Sequence, residues 1–125
     1  MKLTGKVKAE MELAVRRGVR YLDKNNPQWF KRINLTTLDL ENGALCILGQ
    51  CYGSFWDALA GVLQTPSGRG RANEWAVHNG FNAPGAANDE TIPNGAYEYL
   101  TFEWVPYIAV RQVREARRVA AAARA

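Results

Sequence analysis

Apolar residues recur at helical spacing in the first part of the chain and predict an amphipathic helix from about Gly5 to Lys24. The predicted apolar face contains Val7, Met11, Ala14, Val15, Gly18 and Leu22. Arg16, Arg20 and Lys24 fall on the opposite side. The helix should end before Pro27, because the residue that precedes a proline is driven out of the helical backbone region.

The following segment has shorter hydrophobic clusters. Trp29, Phe30 and Ile33 predict one helical turn that folds back on the first helix. In residues 34–43, NLTTLDLENG, leucines separated by polar residues fit either a short strand or a looping turn. We favour the turn, because one isolated strand would have no partner elsewhere in the chain.

Two nearly continuous apolar stretches, ALCILGQCYG and SFWDALAGVLQ, predict two short helices joined at Gly53. Ser54 is of the residue type that caps a helix N-terminus. A helix that is apolar on all sides belongs in the interior. We therefore expect this helical hairpin at the centre of the core.

The rest of the chain alternates loops and helices. TPSGRGR, residues 65–71, has the composition of a loop, and ANEWAVHNG predicts a short helix that stops at Asn79-Gly80. Residues 82–95 contain two prolines and two glycines without periodicity, which predicts a long surface loop. The last helix should run from about Ala96 to Arg124, with a kink or break at Pro106.

These elements predict an all-α fold in which long N- and C-terminal helices surround the apolar hairpin. The 125 residues fit one compact domain, and 47% hydrophobic with 22% charged residues is typical of globular proteins. No apolar run approaches the roughly 20 residues that span a bilayer, and the N-terminus lacks the hydrophobic segment of a signal peptide. We expect no membrane association and a cytoplasmic location in a bacterial cell.

Charge is distributed unevenly along the chain. The net charge is +4, with about +4 in residues 1–24, +4 in residues 111–125 and −4 between them. Three basic sets are therefore candidate contacts for an acidic protein partner or for nucleic acid: Arg16, Arg20 and Lys24; Arg69 and Arg71; and Arg111, Arg114 and Arg118. A solvated helix face without a binding role is the alternative interpretation, and it fits the same pattern.

Two local patterns bear on nucleic-acid or nucleotide binding. Residues 48–62 have the small-residue spacing of a helix-turn-helix. Their second part, SFWDALAGV, offers no Arg, Lys, Asn or Gln to base edges and carries Asp57. A buried hairpin is the better interpretation. SGRGR could hold a phosphate on its backbone amides, but it lacks the Lys-Ser/Thr of a P-loop. We favour a solvated loop there.

His78 is the one histidine, and a catalytic role would need a nucleophile or a carboxylate beside it. Glu74 precedes it by one helical turn, which also describes an ordinary helix-surface pair. Cys46 and Cys51 lie on a predicted buried helix, about 140° apart around its axis. This placement argues against a disulfide or a shared metal and favours inert thiols in a reducing compartment. The sequence gives no pattern for a cofactor or a metal.

Several segments together resemble a group of small uncharacterised proteins encoded by actinobacteria and their phages. The segments are RGVRYLD, a following Trp29, INLTTLDL, CILGQCYG and HNGF, within residues 14–81. The resemblance implies an origin and no particular activity. This chain differs from the group by Cys51 and by a longer loop before the last helix.

The function that we favour from the sequence is a non-enzymatic protein–protein interaction module, a phage-encoded accessory protein that acts on a host component. Abundant Arg and Trp, which dominate binding hot spots, support this hypothesis. The alternative is a sequence-nonspecific nucleic-acid-binding protein that uses the basic terminal helices, and an enzyme ranks third. The last helix could also pair with a second copy of the chain.

Overall fold

The structure, a computed structural model, describes residues 2–62, 68–88 and 90–124, without the side chains of Val62 and Arg69. In chain order the elements are α1 (Gly5–Asn25), a 3₁₀ turn (Trp29–Arg32), α2 (Ile47–Tyr52), α3 (Phe55–Asp57) with a π-helical turn (Ala58–Val62), α4 (Arg69–His78) and α5 (Ala96–Arg124). The described segments contain no β-strand. The prediction of a compact all-α fold is confirmed.

Helix α1 matches its prediction closely. Thr4 caps it by accepting a hydrogen bond from the backbone N–H of Val7 at 3.2 Å. Its buried residues are Met11, Ala14, Val15, Gly18, Val19 and Leu22. The helix ends at Asn25, two residues before the proline. The amphipathic pattern thus fixed both the length of α1 and the side that packs on the body.

Residues 34–43 are irregular and form turns, as predicted, and side-chain amides hold them. The turns continue through Cys46, so α2 begins at Ile47 and not at Ala44, where the predicted helix starts. Gln50 accepts a hydrogen bond from the N–H of Asn34 at 2.6 Å and donates to the carbonyl of Leu45 at 2.8 Å. Asn42 accepts from the N–H groups of Ala44 and Leu45. These amides satisfy backbone groups that no strand partner could reach.

The α2–α3 hairpin is present with its predicted joint. Gly53 has φ 104°, a conformation that favours glycine, and Ser54 accepts a hydrogen bond from the N–H of Asp57 at 3.1 Å. Leu48 and Leu59 are fully or almost fully buried. The second helix is not buried all round, because Trp56 and Asp57 are exposed, and it widens into the π-helical turn after one α-helical turn.

A chain of aromatic rings connects the elements. Trp104 of α5 packs edge-on against Trp29, with centroids 5.9 Å apart, and stacks on Phe81 at 5.4 Å. Phe81 in turn stacks on Trp75 of α4 at 5.6 Å. The indole N–H of Trp104 donates to the carbonyl of Gly80 at 2.7 Å, so the buried ring keeps a polar partner. These ring contacts hold α5 and α4 against the 3₁₀ turn.

Two features of the second half differ from prediction, the start of α4 and the burial of the loop that follows it. Helix α4 begins at Arg69, inside the predicted TPSGRGR loop, so Arg69 and Arg71 are helical. The rest of that segment, residues 65–67, lies outside the described residues. Residues 82–88 and 90–95 are irregular, as predicted, but they are not wholly at the surface, because Ala83 and Pro93 are buried. Their burial anchors the loop to the core.

Of the kink or break predicted at Pro106, the break is wrong, because α5 runs without interruption from Ala96 to Arg124. Proline removes the hydrogen bond to the carbonyl four residues earlier, which belongs to Phe102. Both Phe102 and Pro106 are exposed, so water can solvate that carbonyl. The helix therefore tolerates the proline on its outer side.

The two halves of α5 have different surroundings. Ala96, Leu100, Trp104 and Ile108 are buried against the body. Gln112 donates hydrogen bonds to the carbonyls of Phe30 and Ile33. It is among the last side chains along α5 that bind to the body. Residues 116–124 are all exposed, so the end of α5 projects beyond the body. No helix among the described residues is long and apolar enough to cross a membrane.

Candidate functional site

The three basic residues of α1 that the sequence singled out have no ion-pair partner among the described residues. Arg16, Arg20 and Lys24 are exposed, as the sequence predicted. Leu13, half exposed, lies among them on the outer side of the helix. This surface could attract an acidic partner or a phosphate backbone.

Two of the three predicted contact residues on α5 are engaged within the protein. Arg111 forms a bidentate pair with Asp23, with nitrogen–oxygen distances of 2.6 and 3.0 Å, and lies over the ring of Trp29. Arg118 pairs with Glu115, which also binds Lys31. Of the predicted C-terminal set, only Arg114 has no such pair in the part of the chain that the structure describes. The three arginines therefore do not form a free basic stripe.

Both acidic partners are shifted toward the charged form. Burial raises the pKa of Asp23, but hydrogen bonds from Arg111 and Trp29 outweigh it and lower that pKa below its ordinary value of 3.8. Hydrogen bonds from Arg118 and then Lys31 hold the pKa of Glu115 at about 2. The Asp23 pair joins α5 to α1, and the Lys31–Glu115 pair joins α5 to the 3₁₀ turn. These charges therefore stabilise the packing of the helices.

Arg71, the remaining basic candidate with a described side chain, is exposed on the first turn of α4. It lines a shallow open depression with Glu74, Trp75 and His78. The predicted contact through the Arg69 side chain lies outside the described residues. The SGRGR segment therefore contributes one described cation, placed beside an acid and not in a phosphate-binding loop.

His78 borders a cleft of about 340 Å³ between α1, α4 and the 82–95 loop. Its carbonyl accepts a hydrogen bond from Arg17 at 2.8 Å, and its exposed side chain is at the end of α4. Glu74 lines the same cleft, but neither cysteine does. In the described residues, no three His, Cys, Asp or Glu side chains come close enough to hold a metal. The cleft does not pair His78 with a thiol.

Both cysteines are free and buried, as predicted. Cys46 lies just before α2 and not within it, where its sulfur accepts a hydrogen bond from the N–H of Gly49 at 3.3 Å. The Cys51 thiol lies 3.5 Å from the carbonyl oxygen of Trp29. Burial raises both thiol pKa values, that of Cys51 to about 12. Neither sulfur is placed to act as a nucleophile.

The sequence reasoning missed an apolar surface on the side of α5 that faces away from the body. We call it the outer α5 face, and it consists of Phe102, Pro106, Ala109, Val113, Ala116 and Ala120. Phe102 is 71% exposed and Val113 49%. The residues are spaced alternately by four and three, the spacing of a coiled-coil seam. A search of the α5 sequence for this seven-residue repeat would have identified the outer α5 face. The apolar residues of the buried side of α5 obscure the repeat in the sequence.

Charges flank this face in an ordered way. Glu98 and Glu103 accompany its N-terminal half, whereas Arg114, Arg117 and Arg124 accompany its C-terminal half. Val110, 45% exposed, lies between the two groups near the middle of the helix. The outer α5 face therefore combines exposed apolar side chains with an acidic and a basic end.

Comparison with known proteins adds no relative: no family model, no curated protein and no solved structure matches this chain.

Proposed function

We propose that this chain is a non-enzymatic protein–protein interaction module that uses the outer α5 face as its interface. The observation that carries the proposal is the row of apolar side chains there, of which all but the half-buried Ala109 are exposed. The row begins with Phe102, which is 71% exposed. A single exposed apolar residue is ordinary, but a contiguous row on one helix face is typical of interaction sites. Phenylalanine is among the aromatic residue types that are enriched in the cores of protein–protein interfaces.

The projecting end of α5 supports the same proposal. Residues 116–124 are helical and exposed, without packing on the body to hold them. A helical segment this short gains little stability by itself, because most helix stability in proteins comes from burying an apolar face. A partner along the outer α5 face would bury Val113 and the alanines that follow it.

The biological setting that we propose is an accessory protein encoded by an actinobacterial phage and acting on a component of the host cell. The resemblance of residues 14–81 to such proteins supports this setting. The exposed cations of α1 offer such a component a second surface, one that suits acidic groups.

Site-specific photo-cross-linking in cells tests the proposed interface. A photoreactive phenylalanine analogue replaces Phe102 in one variant and Leu13 in a control variant, since Leu13 is also a large exposed apolar residue. We expect a discrete protein adduct from position 102, lost when Val113→Asp is added, and none from position 13. Equal adducts at both positions, or none at position 102, would refute the proposal.

Nucleic-acid binding is the second candidate, and the free cations of α1 are the observation that favours it. Three phosphate contacts would give a salt slope of about −2.7 in log–log form. Changing Arg16, Arg20 and Lys24 together to Gln should abolish that slope if these contacts exist. We expect binding to random duplex to be weak at roughly 150 mM salt, since Arg111 and Arg118 already bind carboxylates. Sub-micromolar, salt-sensitive binding would reverse the ranking.

A further inference from the structure

We propose that the occupant of the outer α5 face is a second copy of this chain, which pairs with it along α5 in antiparallel orientation. The inference rests on the proposed function, because it names the partner of the same face. Three observations on α5 support it: the spacing of the seam, the sizes of its side chains, and the order of its flanking charges.

The spacing of the seam suits a second helix. Its six residues, at positions 102, 106, 109, 113, 116 and 120, alternate four- and three-residue steps over 19 residues. This repeat keeps one stripe of a helix in contact with another helix along its whole length. The stripe is continuous from the packed half of α5 into its projecting end.

The side chains of the seam complement one another only when the helices run antiparallel. If Val113 faces Ala109 of the second copy, the same register places Phe102 against Ala120 of that copy, and Pro106 against its Ala116. Each bulky residue then meets a small one, which is how packed cores fill space. A parallel in-register pair would place Phe102 against Phe102 and leave the alanines facing alanines.

The flanking charges select the same orientation. In the antiparallel register Glu103 lies opposite Arg117 of the second copy, and two-fold symmetry forms this pair twice. Val110 then faces Val110 near the symmetry axis. In a parallel pair, Glu98 would approach Glu103 of the other copy, a like-charge contact that disfavours it. The acidic and basic ends of the outer α5 face therefore encode the direction of pairing.

The fold leaves room for this pair. The buried side of α5, which carries Leu100, Trp104 and Ile108, is opposite the seam. The two bodies would accordingly lie on opposite sides of the helix pair without colliding. The seam spans about 27 Å of helix and ends in alanines, so the interface is small. We expect a dissociation constant in the micromolar range.

Sedimentation equilibrium of the purified full chain, from about 1 to 300 µM, tests the dimer. We expect a monomer–dimer equilibrium that Phe102→Glu or Val113→Asp weakens by about 30-fold or more. At concentrations where the wild type is monomeric, both variants should match its circular dichroism and melting, since both side chains are exposed. Leu13→Glu, the control on α1, should dimerise like the wild type. A dimer that survives both α5 changes would overturn the inference.

Charge reversal tests the register. Glu103→Arg and Arg117→Glu should each weaken self-association, because each variant opposes like charges twice across the pair. Mixing the two variants should restore association as a heterodimer, in which both opposed pairs attract. Failure of the mixture to associate better than either variant alone would overturn the antiparallel register.

Cysteine cross-linking tests the orientation, and the native thiols leave a clean background because Cys46 and Cys51 are buried. With a short bis-maleimide, Val110→Cys should form covalent dimers, since the two copies of position 110 face each other. Ala120→Cys should not, because its two copies would be about 27 Å apart. Efficient linking through Ala120→Cys would show a parallel pair and overturn the inference.

The failure of the dimer and the failure of the proposed function give different results. A chain that stays monomeric at every concentration, but still cross-links to another protein from position 102 in cells, contradicts the dimer and leaves the interaction module intact. A monomeric chain that cross-links to nothing from position 102 contradicts both. An adduct at position 102 with twice the mass of the chain supports both.

Discussion

Replacing Gly18 with alanine sets two physical effects against each other at the junction of α1, α4 and α5. A Cβ at position 18 would lie well inside van der Waals contact of the Asn79 carbonyl oxygen and 2.9 Å from the ring of Trp104. Trp104 cannot move away easily, because it is fully buried and donates a hydrogen bond to the carbonyl of Gly80. Alanine is nevertheless the better helix former.

The relative size of the two effects decides whether Gly18→Ala stabilises or destabilises the protein. Alanine gains about 1 kcal/mol over glycine inside a helix. Overpacking a rigid core site costs about 1–3 kcal/mol, and two close contacts, one with backbone, place this site at the upper end. We therefore expect Gly18→Ala to lower the free energy of unfolding by about 2 kcal/mol. For a domain of this size that is a drop of about 8 °C in Tm.

Thermal and urea unfolding, followed by circular dichroism, measure the effect. Gly70→Ala in α4 is the matched control, because a Cβ there has no neighbour within 4 Å. The control should raise the stability by about 0.5 kcal/mol through helix propensity. If Gly18→Ala were as stable as the wild type or more so, the close packing of α1 against Asn79 and Trp104 would be wrong.

Three further results should follow from the structure. Leu48→Asp should unfold the domain, since it buries an unpaired charge at a fully buried site, whereas Ala60→Asp on the exposed side of the same hairpin should melt like the wild type. Cys46 and Cys51 should react with a thiol reagent only after denaturation, because burial raises their pKa values; rapid labelling of the native protein would contradict their placement. Asp23→Asn should lose about 1 kcal/mol at pH 7. Because the folded-state pKa of Asp23 is lowered, the wild-type advantage exists above the ordinary value of 3.8 and disappears as the pH falls through the folded value; a pH-independent difference in urea unfolding would refute this.

Local pattern was sufficient for most of the secondary structure. The helical spacing of apolar residues placed α1 to within one residue of its observed end, and Gly53 with Ser54 marked the joint of the hairpin. These features depend on interactions within a few residues, such as a capping hydroxyl or a glycine with positive φ. A sequence contains that information directly.

Helix boundaries without a strong local signal were harder to predict from the sequence. The start of α4 at Arg69 lies in a segment rich in glycine, where composition indicates a loop. Pro106 normally breaks a helix, but tertiary packing of α5 on both sides of it overrides that preference. At Pro106, contacts distant in sequence decided the outcome.

The candidate interface depended most on tertiary structure. Sequence grouped Arg111 with Arg114 and Arg118 as free cations, but the fold brings Asp23, 88 residues away, to Arg111. It also buries one side of α5 and leaves Phe102 on the other side exposed, although both sides are apolar in the sequence. Residue types and their spacing determined that α5 would be a helix with two apolar sides. Only the packing of α1 and the 3₁₀ turn against one of them decided which side stays exposed, because burial is set by which surfaces meet in space.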